Sequence, residues 1–266
     1  MPNSDILPPD KTPPLGTLHG VSVGPGDPEL MTLKGIRCIQ QASVVAFPAG
    51  LNGKPGIAEQ IASQWCLPHQ ERLPLDFPYV QDEDVLMNAW AIAADQVGQR
   101  LCRPEDVVFL CEGDISFYST FSHLADTLLR QYPHLTIQAV PGVCSPMAAA
   151  AAIHRPLTTQ GEKLLILPAL YRISELEAAL DTAEVVVLMK VKSVYAQAWT
   201  ILHDRNLLHC AYVVEWATWP HQKIYEDLGD RPHLDLSYFS ILVIRQTSTS
   251  SPKKEVDAFN DSVADR

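Results

Sequence analysis

VVFLCEGDISFYSTF, residues 107–121, contains a whole strand-to-helix transition. Val107–Cys111 is an unbroken apolar run of strand length, the pattern of a strand buried on both faces. It ends on Glu112-Gly113-Asp114, and the hydroxyl- and aromatic-rich residues beyond lead into a helix predicted over Ser119–Arg130. The same arrangement stands on either side. Upstream, the strand candidate Thr17–Val23 runs into Gly24-Pro25-Gly26-Asp27-Pro28, and Leu30, Leu33, Ile36 and Ile39 then fall at near-helical spacing within Glu29–Gln41. Downstream, Thr136–Val140 is stopped by Pro141-Gly142 before the alanine run Ala148–Ala152, which reads as a closely packed helix. Between these lie a short β-prone run, Ser43–Phe47, and a helix over Asp82–Arg100. Asp82 can cap that helix, and Val85, Leu86, Ala89, Ile92, Ala93 and Val97 form its apolar stripe. Strands alternating with helices predict a largely parallel sheet covered on both faces.

After about residue 158 the pattern changes. Lys163–Leu167 and Val185–Met189 still read as buried strands, and a helix over Ser193–Arg205 follows the second. Ala211–Val214, Lys223–Glu226 and Tyr238–Ile244 then come with only short links, which suits hairpins and a mixed sheet. The expected fold is α/β in two domains, residues 16–158 with a mainly parallel sheet and residues 159–246 with a mixed one. The loop HRPLTTQGE marks the boundary, and the active site is expected in the cleft between the domains. The Pro-rich residues 1–15 are expected to form a disordered arm, and residues 247–266, poor in apolar side chains, a disordered tail.

Composition narrows the function. Of 266 residues 47% are hydrophobic, enough for a real core. Lys and Arg number 20 against 31 Asp and Glu, a net charge of −11. Nucleic acid is therefore not expected as a partner, because its affinity comes largely from phosphate neutralisation, and an anionic membrane surface would repel the chain. No apolar run approaches the ~18 residues of a spanning helix, and the first residues lack the basic start and apolar stretch of a secretory signal. Six cysteines, with no CxxC pair and no His at zinc-finger spacing, read as small buried hydrophobes in a reducing cytoplasm, with no metal bound by the protein.

Five strand ends carry unusual residues. VGPGDPEL (23–30) looks like the start of a dinucleotide fingerprint, but Glu29 stands where the third glycine belongs, and residues 44–51 hold no acid for a ribose hydroxyl. Its glycines still permit close backbone approach to a ligand, and Asp27 or Pro28 opens the next helix. At 112–114, two carboxylates beside a glycine favour an amine, a ribose or a cationic ligand; a plain helix-capping role for Asp114 is the alternative. In VPGVCSPMAAAAA (140–152) Ser145 can cap the alanine helix, whose small side chains admit a close neighbour or ligand. The last two are Met189-Lys190 and Glu215-Trp216-Ala217-Thr218.

In this order and at these separations, the five segments resemble the tetrapyrrole (corrin/porphyrin) methylase family over roughly residues 16–246. The branch most similar is the precorrin-2 C20-methyltransferases, with or without cobalt. Glu112-Gly113-Asp114 with Phe117-Tyr118-Ser119-Thr120-Phe121, Pro141-Gly142-Val143, Leu188-Met189-Lys190 and the run 215–222 carry that resemblance. It implies S-adenosylmethionine (SAM) as methyl donor, touched by Pro25, Glu112, Gly113, Asp114, Phe117, Cys144, Ser145, Met189 and Ala217. It also implies a reduced tetrapyrrole lying along the first-domain strand ends, a homodimer, and a cytoplasmic enzyme. Two departures stand out. The family's Gly-Asp-Pro reads Gly113-Asp114-Ile115, and Pro48 stands where relatives acting on uroporphyrinogen carry an acid.

Methyl transfer from a sulfonium to a ring carbon asks chiefly for alignment. Asp114 and Glu112 are the catalytic candidates by location. A polycarboxylate acceptor needs basic groups: Lys190 foremost, with Arg155, and then Lys192, Lys163 and Arg72. His19, His123, His154 and His221 read as structural or surface residues. The competing readings are another branch of the family with a different acceptor, and a non-catalytic SAM- or nucleotide-binding module.

Overall fold

The computed structural model describes residues 15–50, 54–78, 80, 82–103, 105–170 and 172–246. The predicted disordered arm and tail lie outside the described residues, except Leu15. The chain divides into two compact units, one through Ala148 and one from Ala149. That division falls ten residues ahead of the expected 158/159 boundary, within the alanine helix, because a polar loop signals exposure and not where packing changes allegiance.

The first unit is built on five parallel strands in the order β3-β2-β4-β1-β5: β1 Leu18–Ser22, β2 Val44–Pro48, β3 Glu71–Leu75, β4 Val107–Cys111 and β5 Ile137–Val140. Its helices are α1 Leu33–Gln41, α2 Ile57–Ala62, α3 Glu83–Leu101 and α4 Phe121–Gln131, and α5 Ser145–Ala152 straddles the division. β4 is buried along its whole length, as a central parallel strand must be. Phe109 at its centre meets Phe121 at 5.8 Å and the edge of Phe77 at 6.2 Å between ring centroids.

Several local expectations change. The helix expected over Glu29–Gln41 splits into a 3-10 turn at Pro28–Leu30, opened by the Asp27 side chain, and α1, which the Thr32 hydroxyl caps at Gly35 N–H. Asp82 does cap α3, accepting from Asp84 and Val85 N–H, but the buried residues of α3 are Ala93, Ala94, Val97, Gly98 and Leu101. Val85 and Ile92 stand 45% and 51% exposed, so the core covers only the second half of this helix. Of the cysteines only Cys111 is buried; Cys102 is exposed, and all six thiols are free.

The second unit holds a mixed sheet in the order β6-β7-β10-β8-β9. Its strands are β6 Leu164–Leu167, β7 Val185–Met189, β8 Ala211–Glu215, β9 Lys223–Tyr225 and β10 Ser240–Arg245; its helices are α6 Ile173–Thr182 and α7 Tyr195–Asp204. β6 and β7 run parallel, and β10 lies antiparallel between β7 and β8. Ile241 therefore pairs with both Met189 and Val214, which brings the ends of β7 and β8 to one edge of the sheet. Arg245 Nη2, donating to both carboxylate oxygens of Glu162 at 3.0 and 3.1 Å, ties the segment before β6 to the opposite edge. No helix among the described residues is long and apolar enough to cross a membrane.

Phe109→Ala should empty the centre of the first unit's core and lower its unfolding free energy by about 3–5 kcal/mol. A urea titration followed by circular dichroism reads this directly; a shift under 1 kcal/mol, about the cost of a surface change, would contradict this account of the core.

Candidate active site

In the first unit, β4, β1 and β5 are neighbours in the sheet, so their parallel order puts the loops after Cys111, Ser22 and Val140 side by side. This is the carboxyl edge where open α/β sheets take ligands. Gly24 and Gly113 join the first two loops through reciprocal backbone hydrogen bonds of 3.2 and 2.8 Å. Gly113 has φ +67°, and a Cβ placed on it would meet nothing within 4 Å. The glycine is thus required by the backbone and leaves open space beside the two carboxylates, a cradle suited to a ligand that approaches the main chain.

Asp114 joins the second loop to the third. Its Oδ2 accepts Gly142 N–H at 2.7 Å, while Oδ1 accepts Ser116 N–H at 2.9 Å and the Ser116 hydroxyl. It does not cap α4, which begins at Phe121 under the Ser119 hydroxyl. Beneath the carboxylate lies Ser22, fully buried. Its hydroxyl donates to Val140 C=O and accepts Ile115 N–H, both at 2.8 Å, so one side chain binds all three strand ends. Gly142 fits over it because a Cβ there would come within 2.5 Å of the Ser22 Cβ. The sequence reading missed Ser22; its one signal is a small polar residue at the end of the strand, two positions ahead of Gly24.

Burial raises the Asp114 pKa, but the Gly142 and Ser116 hydrogen bonds outweigh it and hold the carboxyl below its ordinary range. The neighbouring thiols go the other way. Burial pushes Cys111 up to about 12, against a hydrogen bond with Ser119 at 2.9 Å, and also raises Cys144. Both thiols are protonated near neutral pH and make poor nucleophiles. Cys144 accepts Ala148 N–H through its carbonyl, so it occupies the capping position, and Ser145 is the first helical residue instead of the cap. Pro25, Glu112 and Phe117 belong to the same loops, and the Phe117 ring packs edge-on against Tyr118 at 4.6 Å.

The second unit presents its own rim. Met189 ends β7, half-buried, and Lys190 follows it, exposed and left-handed at φ 54°. Across β10, Glu215 ends β8 with 3% of its surface exposed; it accepts Ser237 N–H at 2.5 Å and faces Lys223 Nζ at 3.6 Å. Ala217, buried, sits between Trp216 and Thr218, both left-handed at φ 53° and 69°.

Of the other basic candidates only Lys192 lies near this rim. Arg155 pairs with Glu226 at 3.0 Å beside Tyr212, towards the far end of β8. Lys163 precedes β6 at the opposite edge from Met189. Arg72 is committed to Glu59 at 3.1 Å and to the face of Phe47. Lys192 is exposed in the 3-10 turn after Lys190. His19 lies 3.9 Å from Asp106, His123 stacks on Trp90, and His221 packs at Trp216. Among the described residues no three His, Cys, Asp or Glu side chains gather as a metal site.

Two sheets of this kind, the first with glycine-bearing loops tied together at its carboxyl edge, define a two-unit α/β architecture. The chain belongs to the family of tetrapyrrole (corrin/porphyrin) methylases, whose description matches residues 17–231. It is 33% identical over 237 residues to the cobalamin biosynthesis protein CobIJ of Mycobacterium tuberculosis (strain ATCC 25618 / H37Rv), covering 86% of this chain and 46% of that protein. The chain thus spans about half the length of that relative. The cobalt-precorrin-2 C(20)-methyltransferase of Salmonella typhimurium (strain LT2) is 28% identical over 235 residues, covering 87% of this chain and 97% of that one. The fold is shared with the uroporphyrin-III C-methyl transferase of Thermus thermophilus solved with S-adenyl homocysteine. There the TM-score is 0.61 at 19% identity, over 87% of this chain and 98% of that one.

Asp114→Asn should remove a pH-dependent part of stability. A carboxyl with a depressed folded pKa stabilises the fold above its unfolded pKa of about 3.9, and that stability is lost as pH falls through the lower folded value. Urea midpoints of wild type and D114N should therefore differ most at neutral pH and converge in strong acid. A difference independent of pH would contradict an ionised Asp114 holding Gly142.

Proposed function

We propose that this chain is a SAM-dependent C-methyltransferase that methylates C20 of precorrin-2 or cobalt-precorrin-2 in cobalamin biosynthesis. The observation that carries this reading is the match to the Salmonella C(20)-methyltransferase, which spans 97% of that protein, end to end in effect. The Thermus fold neighbour bound to S-adenyl homocysteine supports the choice of donor.

When bound, SAM supplies an activated methyl group on a sulfonium. The chain's own part is placement. Gly113, with its open side and left-handed backbone, offers the donor close main-chain approach. Glu112 and Asp114 set a negative field that favours the donor's sulfonium and amine. Asp114 acts as a positioning residue, because its oxygens are spent on Gly142 and Ser116, and it fixes the turn that leads to Cys144 and Ser145. The protonated Cys111 and Cys144 thiols do not compete with the acceptor carbon for the methyl group. Lys190 takes a carboxylate of the acceptor, a role for which Arg155, paired with Glu226, is poorly placed. Holding reacting atoms at about 3–3.5 Å is the main source of rate in such a transfer. The same reading makes the protein a cytoplasmic homodimer.

The test is mass spectrometry of products after offering precorrin-2, cobalt-precorrin-2 and cobalt-precorrin-4 separately with SAM, with isotope-labelled methyl and carbon NMR to locate the new bond. One methyl group at C20 of a precorrin-2 form is expected. Methylation of cobalt-precorrin-4 alone would assign another branch, and donor binding without turnover on any acceptor would make the chain a binding module.

A further inference from the structure

The second rim carries a row of aromatic rings that the donor reading does not use. Trp216 meets Trp219 at 5.6 Å, His221 at 4.8 Å and Phe239 at 4.6 Å between centroids, and Phe239 meets the edge of Tyr238 at 5.3 Å. The row runs from half-buried Trp216 out to Tyr238, which is 43% exposed. The Lys190 ammonium lies over the Tyr238 ring, 5.3 Å from its centroid.

The backbone is held in an unusual state to make this edge. Of seven non-glycine residues with positive φ among the described residues, three are Lys190, Trp216 and Thr218. Such strain persists only where the surroundings enforce it. Here Trp216 N–H is bound by Phe239 C=O at 2.8 Å and Thr218 N–H by Gln222 Oε1 at 2.7 Å, while buried Glu215 pins Ser237. These bonds join the loop after β8 to the segment that carries Tyr238 into β10, and Lys190 reaches the same corner because Met189 before it pairs with Ile241 of β10.

We propose that Tyr238, with Lys190 across its ring, is the acceptor-contacting corner of the second unit. The phenol ring takes the conjugated face of the tetrapyrrole, and the ammonium takes its peripheral carboxylates. This rests on the functional reading above and deepens it. Aromatic rings prefer to pack on flat conjugated surfaces. A fixed positive charge at the same point repels the sulfonium of the donor and attracts a polycarboxylate, so the corner suits the acceptor and not SAM.

The test measures binding of cobalt-precorrin-2 under anaerobic conditions, with S-adenosylhomocysteine in place of SAM to prevent turnover. Affinity for S-adenosylhomocysteine alone is measured by calorimetry. Tyr238→Leu should weaken the acceptor roughly three- to tenfold and leave S-adenosylhomocysteine unchanged, while Tyr238→Phe should bind like wild type. Tyr238→Leu combined with Lys190→Gln should lose less than the product of the two single losses, because ring and ammonium act as one contact. Both side chains are exposed, so melting temperatures should hold and keep folding out of the comparison. Wild-type acceptor affinity in Tyr238→Leu would overturn the inference while leaving the functional reading standing, as would a loss confined to S-adenosylhomocysteine. Failure of the wild-type protein to bind either cobalt-precorrin-2 or metal-free precorrin-2, titrated in the same way, would overturn both.

Discussion

The carboxylate of Asp114 spans two strands' worth of loop, and the geometry of the first unit's rim depends on it. One oxygen closes its own turn at Ser116 and the other reaches Gly142 in the loop after β5. Ser22 does the same from below, bonding Val140 and Ile115. Parallel strands alone would place these loops next to each other, but not in one fixed relation. A charge-assisted hydrogen bond to a backbone N–H is roughly twice as strong as a neutral one. The arrangement explains why glycine is needed twice. Gly113 supplies the left-handed turn, and Gly142 leaves the space that a Cβ would take from Ser22.

The second unit solves a similar problem with a different device. Its loops after β7 and β8 flank the start of β10, and buried Glu215 with the aromatic row ties the loop after β8 to the segment leading into β10. The chain as a whole carries a net charge of −11, which would repel a polycarboxylate acceptor. In the proposed reading an exposed lysine at this edge is a local answer to that field, and the fold sets Lys190 there with Lys192 in the turn that follows.

Much of the fold was legible in the sequence because its central strands are buried on both faces. Val107–Cys111 and Val185–Met189 are continuous apolar runs, and their limits in the structure are those the pattern gives. Elements without such a signature were not. β3 reads Glu71-Arg72-Leu73-Pro74-Leu75, an edge strand whose charges and proline suit its position but hide its type. α6 begins after Arg172 with no side-chain cap to announce it. At the site, the glycines and Asp114 drew attention as an odd composition at a strand end. Their actual bonding did not, because Asp114 reaches a residue 28 positions away. Arg155 shows the same limit from the other side: its charge was visible, but which edge of the sheet it joins depends on Glu226 and Tyr212, both distant in sequence.

The central claim is that Asp114 holds the first unit's loops in the shape that receives the methyl donor. Calorimetric titration of S-adenosylhomocysteine into wild type and Asp114→Ala tests it most directly, with Gly142 N–H protection followed by hydrogen exchange in the same samples. The account predicts that Gly142 protection is lost and that affinity falls at least about tenfold, the scale of a charged hydrogen bond of roughly 1.5–3 kcal/mol. Lost protection at Gly142 with unchanged affinity would contradict it, and would place the donor elsewhere on the molecule.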